Sequence, residues 1–469
     1  MPAMRRVALL PALVLAAACA SAQPSAEPLA KSHRKPRPAA ADAAAEDWPQ
    51  FLGPRRNLVS QETRLLPKIP AQGPPLLWEL ETGTGYSSPV IADGKLVYIH
   101  RFGDEEIVLA LNPETGERLW RFGYPTTFSD RYGYNNGPRA SPAIDGDVVY
   151  TYGAQGKLHC LRLTDGKVLW KRDLAADYKV PQDFFGTATT PLVENDKLII
   201  NIGAPGGPTV IAVDKQSGKT LWGAGEKWGP SYASPIAADM HGRRLLFVFA
   251  GGESNPPTGG LLVLDPADGE LLIEFPWRSR SYESVNASTP LVFGDRVLIS
   301  ATYRTGAALL TIKPDLSHEV AWTSDDFDLH WTTPIRRDGM ICAFAGRNEP
   351  DAGLVCVDEK SGETLFRKVF EWPETIEWQG RTREIYESPF RGSLLEIDGR
   401  LLALGEHGHL MWLSVTRQGA EIDSRGKLFL ARETWNPPVV SQGLLYVTQN
   451  TRSFDGEPTR LLCYDLRAK

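Results

Sequence analysis

Short runs of hydrophobic residues, separated by polar turns, recur along most of the chain. The clearest copy occupies residues 87–120, with a Ser-Pro pair, three apolar runs, an Asp-Gly turn and a final tryptophan. The runs are rich in β-branched and aliphatic residues, and Gly, Asp or Asn stands at the turns. This pattern predicts short antiparallel strands joined by tight hairpins, with four strands to each copy.

Two signatures set the register of the repeat. A closing signature places Asx four residues before a turn glycine, a spacing that suits local Asx hydrogen bonding and a positive φ at the glycine. The opening signature is Ser or Thr before proline at Ser88, Ser141, Thr190, Ser234, Thr289 and Thr333, and Asn436 before proline near the C-terminus. Alignment on the Asp-Gly turn adds residues 393–399, where Leu394 replaces the proline. The repeat therefore has eight units.

Four strands repeated eight times predict an all-β fold, a single eight-bladed β-propeller of four-stranded antiparallel blades. The last unit stops after its third strand, whereas residues 75–80 look like a fourth strand with no unit before it. We therefore predict that this N-terminal strand completes the last blade and closes the ring. The predicted propeller covers residues 47–469.

The N-terminal residues predict export. In residues 1–22, Arg5 and Arg6 precede an apolar run, and Ala22 ends a small-residue stretch that suits signal peptidase. The alternative is a lipoprotein signal that ends before Cys19, which would then be lipidated. Residues 23–46 are rich in Ala and Pro and predict a disordered tether. The expected location is the periplasm or the outer membrane, with secretion as an alternative.

Composition limits the classes of partner. The chain has 469 residues, 42% of them hydrophobic, so it can bury a sizeable core. Its net charge of −6 argues against nucleic-acid binding, which normally needs a basic surface. After the N-terminal signal, no stretch approaches the ~20 apolar residues of a membrane-spanning helix.

The cysteines indicate structural roles. No CxxC or CxxCH spacing is present, so neither a zinc site nor a haem c site is predicted. Cys160, Cys356 and Cys463 occupy a third-strand position that alanine takes in other units, which suggests small buried side chains. Cys342 and Cys356 flank a hairpin loop symmetrically. Whether they are bonded stays open, because cross-strand disulfides are geometrically awkward.

The closing pattern A-x-D-x-x-[ST]-G-x-x-x-W, seen at residues 212–222, resembles the tryptophan-docking repeat of pyrroloquinoline-quinone-like (PQQ-like) eight-bladed propellers. That family includes quinoprotein alcohol dehydrogenases and the outer-membrane assembly lipoprotein BamB. Residues 48–54, WPQFLGP, also resemble the opening of exported bacterial members. The resemblance implies that one aromatic ring per unit docks between neighbouring blades, namely Trp78, Trp120, Trp170, Trp222, Trp322 and Phe366.

The candidate ligand site is the mouth of the propeller. There the loops between second and third strands meet the segments that lead into each first strand. Arginine forks suit carboxylates or phosphates, and aromatic faces suit sugars or quinones. The candidates are Arg101, Arg131, Tyr132, Arg139, Asp183, Trp228, Tyr282, Glu283, Asn286, Arg304, His330, Trp331, Arg347, Tyr386, His407, Trp435 and Asn450.

Three functions are compatible with the sequence. The favoured one is a non-catalytic exported propeller that binds or scaffolds a protein or another cell-envelope macromolecule, with no catalytic residue, metal or cofactor assigned. The first alternative is a quinoprotein oxidoreductase that uses PQQ and calcium, for which Glu283 with Asn286, and Asp183, are the available oxygen ligands. This chain lacks the adjacent cysteines that many quinoprotein dehydrogenases carry. The third is an enzyme acting on acidic polysaccharide, for which His330, Tyr386 and Arg304 are residue types that can abstract a proton next to a sugar carboxylate.

Overall fold

The predicted eight-bladed propeller is confirmed. The computed structural model describes residues 28–348, 351–378 and 380–468. Its strands form eight antiparallel blades, seven of four strands and one that gains a fifth. No helix among these residues is long and apolar enough to cross a membrane.

The first seven blades follow one another along the chain. Blade 1 comprises Val90–Ala92, Lys95–Phe102, Glu105–Leu111 and Arg118–Pro125, and blade 2 comprises Ala143–Asp145, Val148–Tyr152, Lys157–Arg162 and Val168–Asp173. Blade 3 comprises Leu192–Glu194, Lys197–Asn201, Val210–Asp214 and Thr220–Ala224, and blade 4 comprises Ile236–Met240, Arg243–Ala250, Gly260–Leu264 and Leu271–Pro276. Blade 5 comprises Leu291–Phe293, Arg296–Ala301, Gly306–Ile312 and His318–Ser324. Blade 6 comprises Ile335–Arg337, Met340–Ala345, Gly353–Asp358 and Thr364–Lys368. Blade 7 comprises Ser393–Ile397, Arg400–Leu404, His409–Thr416 and Gly419–Lys427.

Two elements interrupt the repeat. A short helix, Leu174–Tyr178, follows blade 2, and the Asp173 side chain caps it by accepting from the Ala176 backbone N–H. Between blades 6 and 7 the chain forms an extra hairpin from Trp372–Trp378 and Arg381–Glu387. The insertion between blades 6 and 7, which is rich in charged and aromatic residues, is therefore a two-stranded sheet.

Both ends of the chain build blade 8. Its C-terminal strands are Val439–Ser441, Leu444–Gln449 and Arg460–Asp465, and its fourth is Leu76–Glu81. The fourth strand pairs antiparallel with the third, and Trp78 lies opposite Cys463. The predicted closure of the ring by an N-terminal strand is confirmed.

The predicted disordered tether is wrong for its residues from position 28 onward. Lys31–Ser32 pairs with Leu76–Glu81 as the fifth strand of blade 8. The Arg37 Nε donates to Asp465 Oδ2 at 2.9 Å. An Ala- and Pro-rich segment builds no core of its own, but an open strand edge supplies backbone partners that hold it. Residues 1–27, with the predicted signal and Cys19, lie outside the described residues.

The repeated tryptophans lie between neighbouring blades. Trp120 of blade 1 donates its Nε1–H to the Leu163 carbonyl of blade 2 at 2.8 Å. A Cβ on Gly166 would come within 2.5 Å of that ring, so only glycine leaves room for it. The same pairing of ring and turn glycine occurs for Trp78 with Gly116, Trp170 with Gly218, Trp222 with Gly269 and Trp322 with Gly362. The contact of Trp78 joins blade 8 to blade 1.

The Ser/Thr-Pro signature builds an inner belt around the axis. The Ser88 backbone N–H donates to Ser141 Oγ of the next blade at 3.0 Å, and Ser141 N–H donates to Thr190 Oγ1 at 3.1 Å. Ser234 and Thr289 continue the series at 3.1 and 3.3 Å. Each Ser or Thr hydroxyl therefore accepts a hydrogen bond from the backbone N–H of the equivalent residue in the preceding blade, which lies before its proline and outside the sheet.

The segment 48–60 crosses the end of the propeller opposite the mouth. At one side, the backbones of Trp48 and Ile91 exchange hydrogen bonds at 2.8 Å. At the other, Ser60 N–H donates to the Glu396 carbonyl of blade 7 at 2.7 Å. Phe51, between them, lines the central cavity. The WPQFLGP motif is therefore the floor of the axial channel.

Cys342 and Cys356 form a disulfide, which settles the question that the sequence left open. They lie directly opposite each other on the second and third strands of blade 6, with their Cα atoms 4.2 Å apart. This close approach is typical of the narrow pair in an antiparallel ladder. Cys160 and Cys463 are buried thiols.

Candidate functional site

A cavity of about 230 Å³ lies on the propeller axis and opens at the mouth. Phe51 closes it from below, so the axis is a pocket rather than a channel. Its lining is predominantly aromatic, with two arginines and few other charged side chains. The residues are Phe51, Tyr86, Tyr134, Arg139, Phe185, Ala188, Thr190, Tyr232, Ser234, Glu283, Val285, Ala287, Tyr303, His330, Trp331, Arg391, Trp435, Asn436 and Pro437.

The repeat register explains much of this lining. Residues two positions before each Ser/Thr of the opening signature face the axis, because alternate residues of an extended segment share a face. In the six Ser/Thr-Pro units these residues are Tyr86, Arg139, Ala188, Tyr232, Ala287 and Trp331, and each lines the cavity. The register thus offered a signal for Tyr86, which the sequence analysis did not include among its candidates.

Three aromatic rings in contact form one wall of the cavity. The Tyr86 and Trp435 ring centroids are 4.7 Å apart, and those of Trp435 and Trp331 are 4.5 Å apart. The Arg391 guanidinium lies 4.7 Å from the centroid of Trp331. Arg139 lies 5.4 Å from the Tyr86 ring. Cation–π contacts of this kind hold both arginines against the wall.

Buried acids neutralise these arginines from behind. Arg139 Nη2 donates to Asp130 Oδ2 at 2.8 Å, and the Asp130 side chain is fully buried. Arg391 Nε donates to Glu406 Oε2 at 2.9 Å, and Trp435 Nε1 donates to Glu406 Oε1 at 2.6 Å. The cavity wall therefore presents guanidinium groups whose charge is already balanced.

Two titratable side chains of the wall are held neutral. Burial, followed by the charge of Glu433, raises the pKa of Tyr86 well above its ordinary value, and the Tyr86 hydroxyl donates to Glu433 Oε2 at 2.6 Å. Burial, followed by the charges of Arg391 and Arg347, lowers the pKa of His330 to about 3. Near neutral pH, Tyr86 and His330 therefore add no charge to the wall.

The sequence matches the family model described as outer membrane protein assembly factor BamB, of the PQQ-like repeat type, over residues 104–368. This match covers more than half of the chain. The chain belongs to this family. Among curated proteins, BamB of Moranella endobia (strain PCIT) is 25% identical over 219 residues, which are 46% of this chain and 48% of that protein. The match thus spans about half the length of that relative.

Solved structures share the fold. BamB from Moraxella catarrhalis has a TM-score of 0.53 and 16% identity, covering 83% of this chain and 97% of that one. Quinohemoprotein alcohol dehydrogenase from Comamonas testosteroni has a TM-score of 0.56 and 14% identity, covering 92% and 82%. A BamB and an alcohol dehydrogenase both use this propeller, so the fold alone does not decide the function.

The structure divides the predicted mouth residues into groups. Arg139, Glu283, His330, Trp331 and Trp435 line the central cavity. A neighbouring cavity between blades 5 and 6 includes Arg304 and Arg347, and a third beside blade 1 includes Arg101. Arg131, Tyr132 and Tyr282 lie at the rim, and Asp183 is buried beneath them, where burial raises its pKa to about 6.

Other predicted site residues are buried in the packing and line none of these three cavities. Trp228 packs in the core beside blade 4, and Asn450 is buried and donates to the Gly85 carbonyl at 2.8 Å. His407 is buried against Glu387, with Nδ1 and Oε2 3.0 Å apart. These positions precede or follow strands as mouth residues do, but their side chains point into the wall between blades.

The structure does not bring together His330, Tyr386 and Arg304, the residues suggested for polysaccharide chemistry. Tyr386 lies on the inserted hairpin with 71% of its surface exposed. Arg304 lines a different cavity from His330. The three side chains therefore do not share one pocket.

The oxygen ligands nominated for calcium do not assemble. The Asn286 amide donates to the carbonyls of Ala250 and Trp277, at 2.8 and 3.0 Å, and is fully buried. Glu283 is exposed at the cavity rim. Within the described ranges, no group of three or more His, Cys, Asp or Glu side chains is placed to hold a metal ion.

Proposed function

We propose that this protein is an exported, non-catalytic propeller that binds or scaffolds a partner protein in the periplasm or at the outer membrane. Membership of the family described as outer membrane protein assembly factor BamB supports a protein partner. The observation that carries the proposal is a group of exposed aromatic side chains at the mouth, which a propeller that only packed its own blades would not need.

This aromatic rim has the composition of a binding hot spot. Tyr132 and Tyr282 are 48% and 40% exposed, and their rings lie 5.5 and 5.3 Å from the buried ring of Phe184. Arg131 is paired with Glu253 at 2.8 Å beside them. Tyrosine, tryptophan and arginine dominate the energetics of protein interfaces, particularly when they surround an apolar centre.

Photo-crosslinking in the producing cell tests this surface. A photo-reactive amino acid replaces Tyr132 or Tyr282, and a control replaces Lys219, an exposed residue in a turn at the opposite end of blade 3. We expect one defined protein adduct from both rim positions and none from Lys219. Adducts that form equally at all three positions, or at none, would contradict a mouth-directed scaffold.

Anchoring is the second part of the proposal. Cell-envelope localisation follows either from cleavage after residue 22 or from lipidation of Cys19. Cys19→Ala should move the chain from the membrane fraction to the soluble periplasmic fraction if the lipid holds it. An unchanged distribution between the two fractions would indicate that signal peptidase cleaves the signal after residue 22 instead.

The quinoprotein alternative has a direct test. The mature chain is melted with PQQ in calcium buffer and with chelator. A ligand that binds only the folded state, at one hundred times its dissociation constant, adds ~2.7 kcal/mol to stability. A shift that disappears with chelator would overturn the non-catalytic proposal, and no shift is the expected result.

A further inference from the structure

A basic segment lies on the outer edge of blade 8. Residues 31–37 read KSHRKPR, in a chain whose net charge is −6. Lys31–Ser32 pairs with Leu76–Glu81, and the His33 backbone N–H donates to the Leu77 carbonyl at 2.7 Å. The sheet therefore holds these cationic side chains in one place on the outside of the ring, where a free tether would disperse them.

Two acids beside the segment are already occupied. Arg37 Nε lies 2.9 Å from Asp465 Oδ2. The Glu79 carboxylate lies 2.8 Å from Arg460 Nη1 and 2.9 Å from His33 Nε2. These contacts hold the segment on the blade, and they leave the remaining cations of the segment to face solvent.

The uncompensated side chains form one surface, the blade 8 patch, which consists of Leu29, Lys31, Arg34 and Lys35. Arg34 and Lys35 are exposed and form no ion pair with any residue in the described ranges. The Lys31 side chain is 71% exposed, with its Nζ 3.5 Å from Glu79. Leu29 is 72% exposed directly before them. The patch thus combines cations with an apolar side chain.

This combination suits the surface of an anionic phospholipid membrane. Each Lys or Arg near such a surface raises the affinity about fivefold, and a neighbouring apolar side chain adds to it by entering the headgroup region. Electrostatic interactions reach only ~8 Å at physiological ionic strength. The local charge of the patch, rather than the negative charge of the whole chain, therefore sets the sign of the interaction.

The position of the patch in the chain also fits a membrane contact. The lipidation candidate Cys19 precedes Lys31 by at most ~40 Å of extended chain. A single acyl chain gives only marginal and reversible membrane binding, so stable anchoring needs a second signal such as a basic patch. The blade 8 patch has the chemistry of that second signal.

We propose that the blade 8 patch binds the surface of a membrane that contains anionic phospholipid. The outer edge of a blade faces away from the propeller axis. Contact at this edge therefore places the axis parallel to the membrane and leaves the mouth open to a partner beside it. This contact rests on the proposed cell-envelope location, but the rim tyrosines are not part of it, so partner binding and membrane contact can each fail alone.

Co-sedimentation with vesicles tests the contact. The mature chain, without a lipid anchor, is mixed with vesicles of phosphatidylcholine alone or of phosphatidylcholine with phosphatidylglycerol. We expect binding only to the anionic vesicles, and loss of this binding in ~1 M salt, where the Debye length falls to ~3 Å. Binding to neither kind of vesicle, or equally to both, would overturn the proposal.

Paired substitutions separate the patch from net charge. Arg34→Gln with Lys35→Gln should weaken binding to anionic vesicles about 30-fold, since two surface cations are lost. Lys219→Gln with Lys360→Gln removes the same charge from exposed turns of blades 3 and 6 and should leave binding unchanged. Both pairs should keep the melting temperature. Equal weakening in the two pairs would contradict a local patch.

An environment-sensitive dye tests the orientation. It is attached to the cysteine of Leu29→Cys, or to that of Leu271→Cys, on the outer strand of blade 4 opposite blade 8, where the leucine is 41% exposed. The native thiols of Cys160 and Cys463 are buried. Anionic vesicles should shift the emission to the blue for the dye at position 29 only. No shift at position 29, or an equal shift at both positions, would refute contact through blade 8.

Discussion

Glu62 is an acid whose environment the fold changes strongly. It is 1% exposed at the end of the propeller opposite the mouth, and the Gly443 N–H donates to its Oε2 at 2.7 Å. Burial nevertheless raises its pKa to about 7. Desolvation of the charged carboxylate outweighs the hydrogen bonds it accepts.

Glu62→Gln should therefore alter how stability depends on pH. The folded pKa lies above the ordinary value of 4.5, so the folded state binds the proton more tightly. The resulting stabilisation is present at low pH and decreases as pH rises from about 4.5 to about 7, by up to ~3 kcal/mol. Urea unfolding of both chains across this range should show a flatter dependence in Glu62→Gln. Parallel curves would contradict the assignment.

At the scale of the element, the contact that recurs is between a tryptophan ring and the turn glycine of the next blade. Gly166 has a φ of +71° and lies against Trp120. Gly146, in a first hairpin turn, has a φ of +59° with nothing near the position of a Cβ. The two glycines share the backbone requirement but differ in the space around them.

Gly166→Ala and Gly146→Ala separate these two causes. Either substitution places alanine in left-handed backbone, which costs ~1–2 kcal/mol. Gly166→Ala also displaces the Trp120 ring, which adds ~1–3 kcal/mol of overpacking. Chemical denaturation should show Gly166→Ala to be the less stable variant. Equal losses would mean that the ring adapts without cost.

At the scale of the molecule, closure of the propeller ring depends on an N-terminal segment that is far from the C-terminus in the sequence. The strand Leu76–Glu81 completes blade 8, and residues 48–60 form the floor of the axis. In contrast, Lys31–Ser32 adds only to the outer edge of the finished blade, and Arg37 bonds to Asp465 at the end of its third strand. The ring should thus tolerate loss of the outermost segment but not loss of the strand.

Two truncations test this hierarchy. A chain that begins at Asp47 should keep its circular dichroism spectrum and unfold cooperatively, with stability lowered by about 1.5–3 kcal/mol because the buried Asp465 carboxylate loses its charged partner Arg37. A chain that begins at Gly83 loses the fourth strand of blade 8 and the docking of Trp78, a buried aromatic worth ~3–5 kcal/mol on truncation. It should aggregate or unfold at much lower denaturant. Equal behaviour of the two chains would refute closure by the N-terminal strand.

The sequence by itself determined the architecture. Strand runs, turn glycines and docking aromatics act over a few residues, so the repeat register gave eight blades, and the incomplete unit after Asn436 gave the closure by residues 75–80. Those features are local and periodic, and each copy reinforces the others.

Only the tertiary structure decided the site. Loop residues of similar chemistry separate by the direction in which each side chain leaves the backbone: Trp331 faces the axis, whereas Trp228 and Asn450 face the packing between blades. The floor at Phe51 and the ordered edge at Lys31–Ser32 arise from contacts between residues far apart in the chain. Such contacts depend on how the blades close around the axis, which no local pattern specifies.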